Sequence, residues 1–219
     1  MAVNTPQSSL AERERLYGGK IVAENVSYEE FLTGSYGTHV EWVNGAVIEM
    51  SPVKTEHGRL NSFLEFLLTY LLDRTIGGVV HRDPVVMRAK PELPGRQPDL
   101  QVILPDRMHY IKENEVAGPA NLVVEIVSPE SSKRDRGDKH DEYEQGGVQE
   151  YWILDPQRKE TLFYVRGEDE LFHLTLPVEG VYNSTVLPQL TLKVDILWQA
   201  KLPTTTEIIQ MVEKMLKDN

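Results

Sequence analysis

Cysteine is absent from the 219 residues. That excludes disulfides and thiolate zinc sites, so any bound metal would use oxygen or imidazole ligands. Also missing is an apolar run approaching the roughly 20 residues a membrane helix needs. The N-terminal stretch MAVNTPQSSLAERERLYGGK has no apolar signal core. Residues 1–20 therefore read as a mobile polar lead-in and residues 21–219 as a single domain, cytoplasmic and with no membrane partner. No repeat, low-complexity tract or linker divides the chain. Positive charge is scarce, with 23 Lys and Arg against 34 Asp and Glu for a net charge of −11. This balance argues against broad nucleic-acid affinity, since phosphate neutralisation supplies most non-specific binding. A local patch of Lys133, Arg134, Arg136 and Lys139 is the exception. Hydrophobic residues at 40% and charged ones at 26% fit an ordinary globular domain, long enough for a full core.

The informative stretch runs from Pro98 to Pro156. Strand alternation in PDLQVILP puts Asp99, Gln101 and Ile103 on one face. In NLVVEIV it puts Val123, Glu125 and Val127 together, with Leu122, Val124 and Ile126 opposite. Glu125 thus stands among apolar residues, where a carboxylate costs several kcal/mol (order of magnitude) unless cations or donors compensate. After Ser128-Pro129, Ser131 or Ser132 is placed to cap a helix from about Lys133 to Gln145. That helix lacks an apolar stripe, Tyr143 being its one clearly apolar side chain. Asp135, Lys139, Glu142 and Tyr143 share a face at 3.6 residues per turn. Lys139 is thereby able to lean over the end of the Glu125 strand, and two acids with a lysine are the parts of a metal-dependent nuclease site. Taken singly, Asp99 reads equally as a turn residue, and Lys139 as a surface lysine paired with Asp135.

The ordered set Pro98-Asp99, VEIVSP from Val124 to Pro129, then RD, K, Y and GVQEYWILDP resembles the Uma-type family of bacterial endonucleases. That family belongs to the restriction-endonuclease-like superfamily, named for its PD-(D/E)XK motif. The resemblance covers roughly Val26 to Leu197. It implies an α/β (α+β) fold, a central mixed β-sheet flanked by helices, and a DNA endonuclease that works as a homodimer. It also implies Mg²⁺ or Mn²⁺ held by Asp99, Glu125 and the Ile126 backbone carbonyl. Two residues after Glu125 stands Val127 where the superfamily motif has lysine, so the lysine role passes to Lys139. Family members usually carry an acid just after the glycine of the first hairpin; here it is Ala46, leaving Glu41 as an auxiliary acid and Glu49 as a solvated edge residue. Gln97 is placed to orient a carboxylate, and Tyr143 either to hydrogen-bond a ligand or to bury its ring. Two further readings stay open: a non-catalytic nuclease scaffold that serves as a binding module, and a hydrolase of small phosphoesters.

Elsewhere, Ser27-Tyr28-Glu29-Glu30 is a capping box, and Asn44-Gly45 joins strands 40–43 and 46–50 as a hairpin. A helix over 55–74 carries the stripe Leu60, Phe63, Leu64, Leu67, Leu68, Leu71 and Leu72. His57 begins that stripe. It is either a plain core histidine or, as the family pattern implies, a metal ligand, kept neutral by the helix N-terminus. Strands are expected over 79–82, 84–89, 151–154, 161–165, 171–176 and 186–192, and a closing helix capped by Thr204 or Thr205. Residues 105–119 form a polar connector with His109 in solvated loop. Trp42, Trp152 and Trp198 read as packing residues.

Overall fold

The computed structural model describes residues 9–51, 54–128 and 131–218. The first eight residues of the polar lead-in, Pro52 and Pro129 lie outside them. The rest of the lead-in contains a helix, α1 (Leu10–Tyr17), with a Ser9–Glu12 capping box and no buried residue. Its composition hides it, because it has no apolar face. After β1 (Lys20–Ala23) comes α2 (Tyr28–Thr33), opened by the expected box of Ser27 and Glu30. The hairpin follows as β2 (Val40–Val43) and β3 (Ala46–Glu49). Its turn has positive φ at Asn44 (50°) and Gly45 (84°), the combination that makes Asn-Gly favourable there. β1 adds to the far side of β3, giving the order β1-β3-β2. Glu49 is exposed as expected, but β3 is the middle strand rather than an edge.

Helix α3 (Thr55–Arg74) buries all seven stripe residues. The chain returns as β4 (Val79–Arg82), β5 (Val86–Met87) and β6 (Leu100–Ile103). The connector holds a 3₁₀ turn over Pro105–Tyr110 and β7 (Glu115–Val116), which pairs with β5. Then come β8 (Leu122–Ile126), α4 (Ser132–Arg136) and α5 (Asp138–Gly146). The single helix expected over 133–145 is broken at Gly137, which sits at φ −122°, ψ −95°. Ser131 occupies the cap position without a side-chain cap bond; its hydroxyl instead accepts from the Ser128 N–H at 3.0 Å. Gly147, left-handed at φ 92°, ends α5.

β9 (Glu150–Asp155), β10 (Glu160–Arg166) and β11 (Phe172–Thr175) complete a sheet of order β11-β10-β9-β8-β6-β4. Only β8 and β9 are parallel within it. A parallel pair needs a crossover, and α4–α5 is that crossover. The Leu100, Val102, Val124, Trp152 face packs against α3. The Val123, Val127, Tyr151 face lies under Tyr143 of α5.

Of the strand expected over 186–192 only Thr191 and Leu192 are strand. The small pair is β12 (Val181–Asn183) with β13 (Thr191–Lys193), and 184–190 form a loop between them. The loop is shaped by Glu150, fully buried at 0% exposure. One Glu150 oxygen accepts from Ser184 Oγ, Thr185 N and Oγ1, and Val186 N; the other accepts from Trp152 Nε1 and Tyr182 Oη. Those bonds hold the backbone of Thr185 and Val186 off a ladder despite their β-forming side chains. α6 (Thr205–Asp218) closes the chain on α3, its start boxed by Thr204 and Glu207. No helix among the described residues is long and apolar enough to cross a membrane.

Candidate active site

Register decides where the acids lie. β6 and β8 run antiparallel with Leu100 opposite Val124, so the next step along the ladder sets Asp99 beside Glu125. Both are buried and line one pocket, together with Ile126, His57, Glu41 and Lys139. Asp99 is fixed at both oxygens: His57 Nε2 lies 2.8 Å from Oδ1, and the Ile126 N–H donates to Oδ2 at 2.6 Å.

The crossover brings α5 back over the strand that precedes it, which is how Lys139 reaches Glu125. Its Nζ lies 2.9 Å from Glu125 Oε1, 3.2 Å from Glu41 Oε1 and 3.7 Å from Asp135 Oδ1. At 2% exposure Lys139 is no surface residue, so its pairing with Asp135 is part of a buried network. Tyr143 buries its ring, one of the two readings left open, and its hydroxyl donates to Glu125 Oε1 at 2.8 Å. Val127 packs in the cluster under α5 with Tyr143 and Tyr151, where an ammonium would have no water.

Several expectations are corrected. The basic patch is spent inside the protein. Arg134 is buried and donates to the Tyr17 carbonyl, Arg136 pairs with Asp155 and Glu160, and Lys139 sits in the pocket; only Lys133 is exposed. Gln97 does not orient a carboxylate with its side chain, whose Oε1 accepts from Val40 N and whose Nε2 donates to the Pro84 carbonyl. Its backbone N–H instead reaches Glu41 Oε1 at 3.4 Å. For His57, burial disfavours the imidazolium, but the hydrogen bond to Asp99 and the Asp99 and Glu125 charges outweigh it and raise the pKa.

Electrostatically the pocket is over-supplied with acid. Asp83 and Asp135 also line it. Burial pushes Glu125 up to about 8; Lys139 opposes this, while Asp135 and Asp99 add to it. Burial likewise raises Asp135 against the pull of Lys139 and Arg134. Glu41 goes the other way: burial pushes it up, but Lys139, Arg96 and Arg134 outweigh that and hold it low. Lys139 is pulled down by burial, yet Glu125, Glu41 and Asp135 together keep it raised. Asp135 was legible only as a partner of Lys139 at i−4. Asp83 and Arg96 gave no local signal, since nothing in their neighbourhoods marks burial.

A divalent cation suits this donor set. Asp135 Oδ1 is buried without a hydrogen-bond partner, and so is His57 Nδ1. Among the described residues no three His, Asp or Glu side chains are gathered into a site that could hold a metal by themselves.

A central mixed sheet with a crossover helix that returns a lysine to an acid on its leading strand defines the class: a restriction-endonuclease-like fold. The crystal structure of "a putative nuclease belonging to DUF820" from Anabaena variabilis ATCC 29413 superposes with a TM-score of 0.64 at 17% identity, over 79% of this chain and 97% of that one. A sequence model of the Uma2 family, described as "Putative restriction endonuclease", matches residues 28–195. The chain belongs to the Uma2 family. No curated protein matches it.

Proposed function

We propose that this protein is a metal-dependent endonuclease that hydrolyses DNA phosphodiester bonds. The observation that carries this reading is the pairing of Lys139 with Glu125 at 2.9 Å in a buried pocket shared with Asp99. Asp99, Glu125 and the Ile126 carbonyl would hold Mg²⁺ or Mn²⁺. When bound, such an ion neutralises charge at the phosphate and acidifies a water. Asp99 and Glu125 present their carboxylates to the same space, held there by Ile126 N–H and His57 on one side and by Tyr143 on the other. Lys139, a fixed cation in a water-poor site, stabilises negative charge as it builds on the phosphoryl oxygens. Tyr143 orients Glu125 rather than a ligand.

His57 acts through Asp99, which it contacts directly. His57→Ala is expected to weaken Mn²⁺ binding roughly 10–100-fold, the usual effect of losing a partner that orients a ligand. Calorimetry showing unchanged affinity would make it a core histidine only.

The internal use of Arg134, Arg136 and Lys139 favours a second reading, hydrolysis of a small phosphoester that needs no basic track. Supercoiled plasmid and a small phosphodiester, each incubated with Mn²⁺, separate these. Nicking supports the endonuclease, turnover of the small ester alone supports the second reading, and neither leaves a non-catalytic scaffold. A homodimer is also proposed, through β11, the outer strand of the large sheet, beside which Leu171, Leu174, Leu176 and Val178 are exposed. Light scattering that gives a monomer mass at micromolar concentration would dismiss it.

A further inference from the structure

Helix α5 buries only Lys139, Tyr143 and Gly146, too little for the apolar stripe that ordinarily seats a helix. Yet Lys139 is held to one place. Phe172 N–H and Arg166 hold the far end of α5 through Glu144, and His140 packs against Tyr164 and Phe172; nearest Lys139, Arg96 supplies the attachment. Its side chain is 4% exposed; the guanidinium grips the Glu142 carboxylate with Nε and Nη2, both at 2.7 Å, and donates Nη1 to Glu41 Oε2 at 2.8 Å. Glu142 stands three residues beyond Lys139 on the same helix. The other Glu41 oxygen is the one 3.2 Å from Lys139 Nζ. The ammonium is thus steadied from two directions, through its own helix and through an acid on β2, and one guanidinium joins both.

Arg96 itself has little freedom. Its backbone exchanges hydrogen bonds with Met87 at 2.7 and 3.0 Å, and Gly95 does the same with Trp42 at 2.9 Å each way. A Cβ at Gly95 would come within 2.7 Å of the Tyr28 ring, so the segment lies close against α2. Three residues later the chain reaches Asp99. One rigid strip therefore carries both the clamp and a candidate metal ligand. Only a planar fork can bind Glu142 bidentately and still reach Glu41.

We propose that Arg96 is a positioning residue for the Lys139 ammonium, clamping Glu142 of α5 and Glu41 of β2 at once. The kinetic consequence rests on the endonuclease reading; the geometric one does not. Two variants test it: Arg96→Lys, which keeps charge but loses the fork, and Glu142→Gln, which leaves Arg96 in place. The first readout is the ¹⁵N–¹H signal of the Lys139 ammonium, assigned by its disappearance in Lys139→Met. In both variants it is expected to shift or broaden while the protein stays folded by circular dichroism. The second is single-turnover cleavage at saturating Mn²⁺, expected to fall about 10–100-fold, in keeping with the cost of a small misplacement at a reacting centre. Because the effect runs through Lys139, Arg96→Lys should add almost nothing in a Lys139→Met background. A purely structural role would leave the ammonium signal unmoved and make the losses additive. Either result overturns the proposal. If Arg96→Lys does not fold, Glu142→Gln carries both readouts, its side chain being 18% exposed. If the wild type cleaves nothing, the endonuclease reading fails and the ammonium signal alone decides the clamp.

Discussion

Lys139→Met should slow single-turnover plasmid nicking by about 10²–10³-fold at saturating Mn²⁺, the cost of losing one charge-stabilising donor at a transition state. Methionine keeps most of the stem's packing and deletes the charge. The effect on stability should be comparably large. Lys139 stands within 4 Å of Glu125, Glu41 and Asp135, all of them buried. Removing it takes a cation from the ionised Glu41 and raises the penalty on any charge at Glu125 and Asp135, and breaking a buried ion pair by deleting one partner costs about 3–5 kcal/mol. The metal-free variant should therefore unfold at markedly lower denaturant than the wild type. Mn²⁺ should recover more stability in the variant than in the wild type, because a bound cation replaces the missing charge. Denaturant titrations with EDTA and with Mn²⁺, run beside the nicking assay, check both halves. A wild-type rate in the variant would remove Lys139 from the chemistry, and an unchanged midpoint would contradict the buried network.

Glu125→Gln should have effects of opposite sign on activity and on stability. Cleavage should fall by roughly 10³-fold, since a carboxylate proposed to hold the metal is lost. The metal-free protein, in contrast, should be less penalised above neutral pH. Burial pushes the Glu125 carboxyl to about 8, well above the ordinary 4.5. Between those values the folded state retains a proton that the unfolded chain releases. The associated stability is fully present below about 4.5, declines through the window and is lost as pH passes about 8. Its slope is at most about 1.4 kcal/mol per pH unit for one proton. Glutamine still accepts from Lys139 and Tyr143 but has no charge to desolvate, and that part of the slope should vanish. Urea unfolding of both proteins in EDTA at pH 5 and pH 8 measures the difference. Parallel pH profiles would mean that Glu125 is ionised throughout in the metal-free protein. Above neutral pH, Lys139→Met and Glu125→Gln thus move stability in opposite directions while both abolish most turnover, a pattern that general misfolding does not produce.

Much of this architecture follows from patterns local to the chain. The α3 stripe, the Asn44-Gly45 turn, the Ser27–Glu30 box and the alternation around Asp99 and Glu125 each depend on periods of 3.6 or 2 residues, or on a single turn chemistry. A carboxylate within an apolar strand also marked Glu125, because no exposed environment suits its neighbours. What went astray was mostly not local, the exception being α1, whose Ser9–Glu12 box is the same signal as Ser27–Glu30. The helix α1 has no apolar face to betray it. The 186–190 segment was expected to be strand, yet Glu150, some 35 positions earlier in the chain, draws the backbone at Thr185 and Val186 into a loop. A basic cluster at 133–139 has the look of an exposed patch until Asp155, Glu160, the Tyr17 carbonyl and Glu125 are brought against it.

The sequence by itself singled out Asp99, just ahead of β6, and Glu125 within β8, and the face each occupies; that Lys139 takes the lysine role is what the family resemblance implied. Side-chain period suffices for the two acids and their faces. Only the tertiary structure decided that Glu41 and Asp135 share the Lys139 charge, that Asp83 lines the same pocket, and that Arg96 ties α5 to β2. Each of these contacts joins segments whose meeting is set by sheet register and by the parallel crossover. Burial, which turns ordinary acids and bases into a coupled site, is a property of the packed layers and of no residue alone.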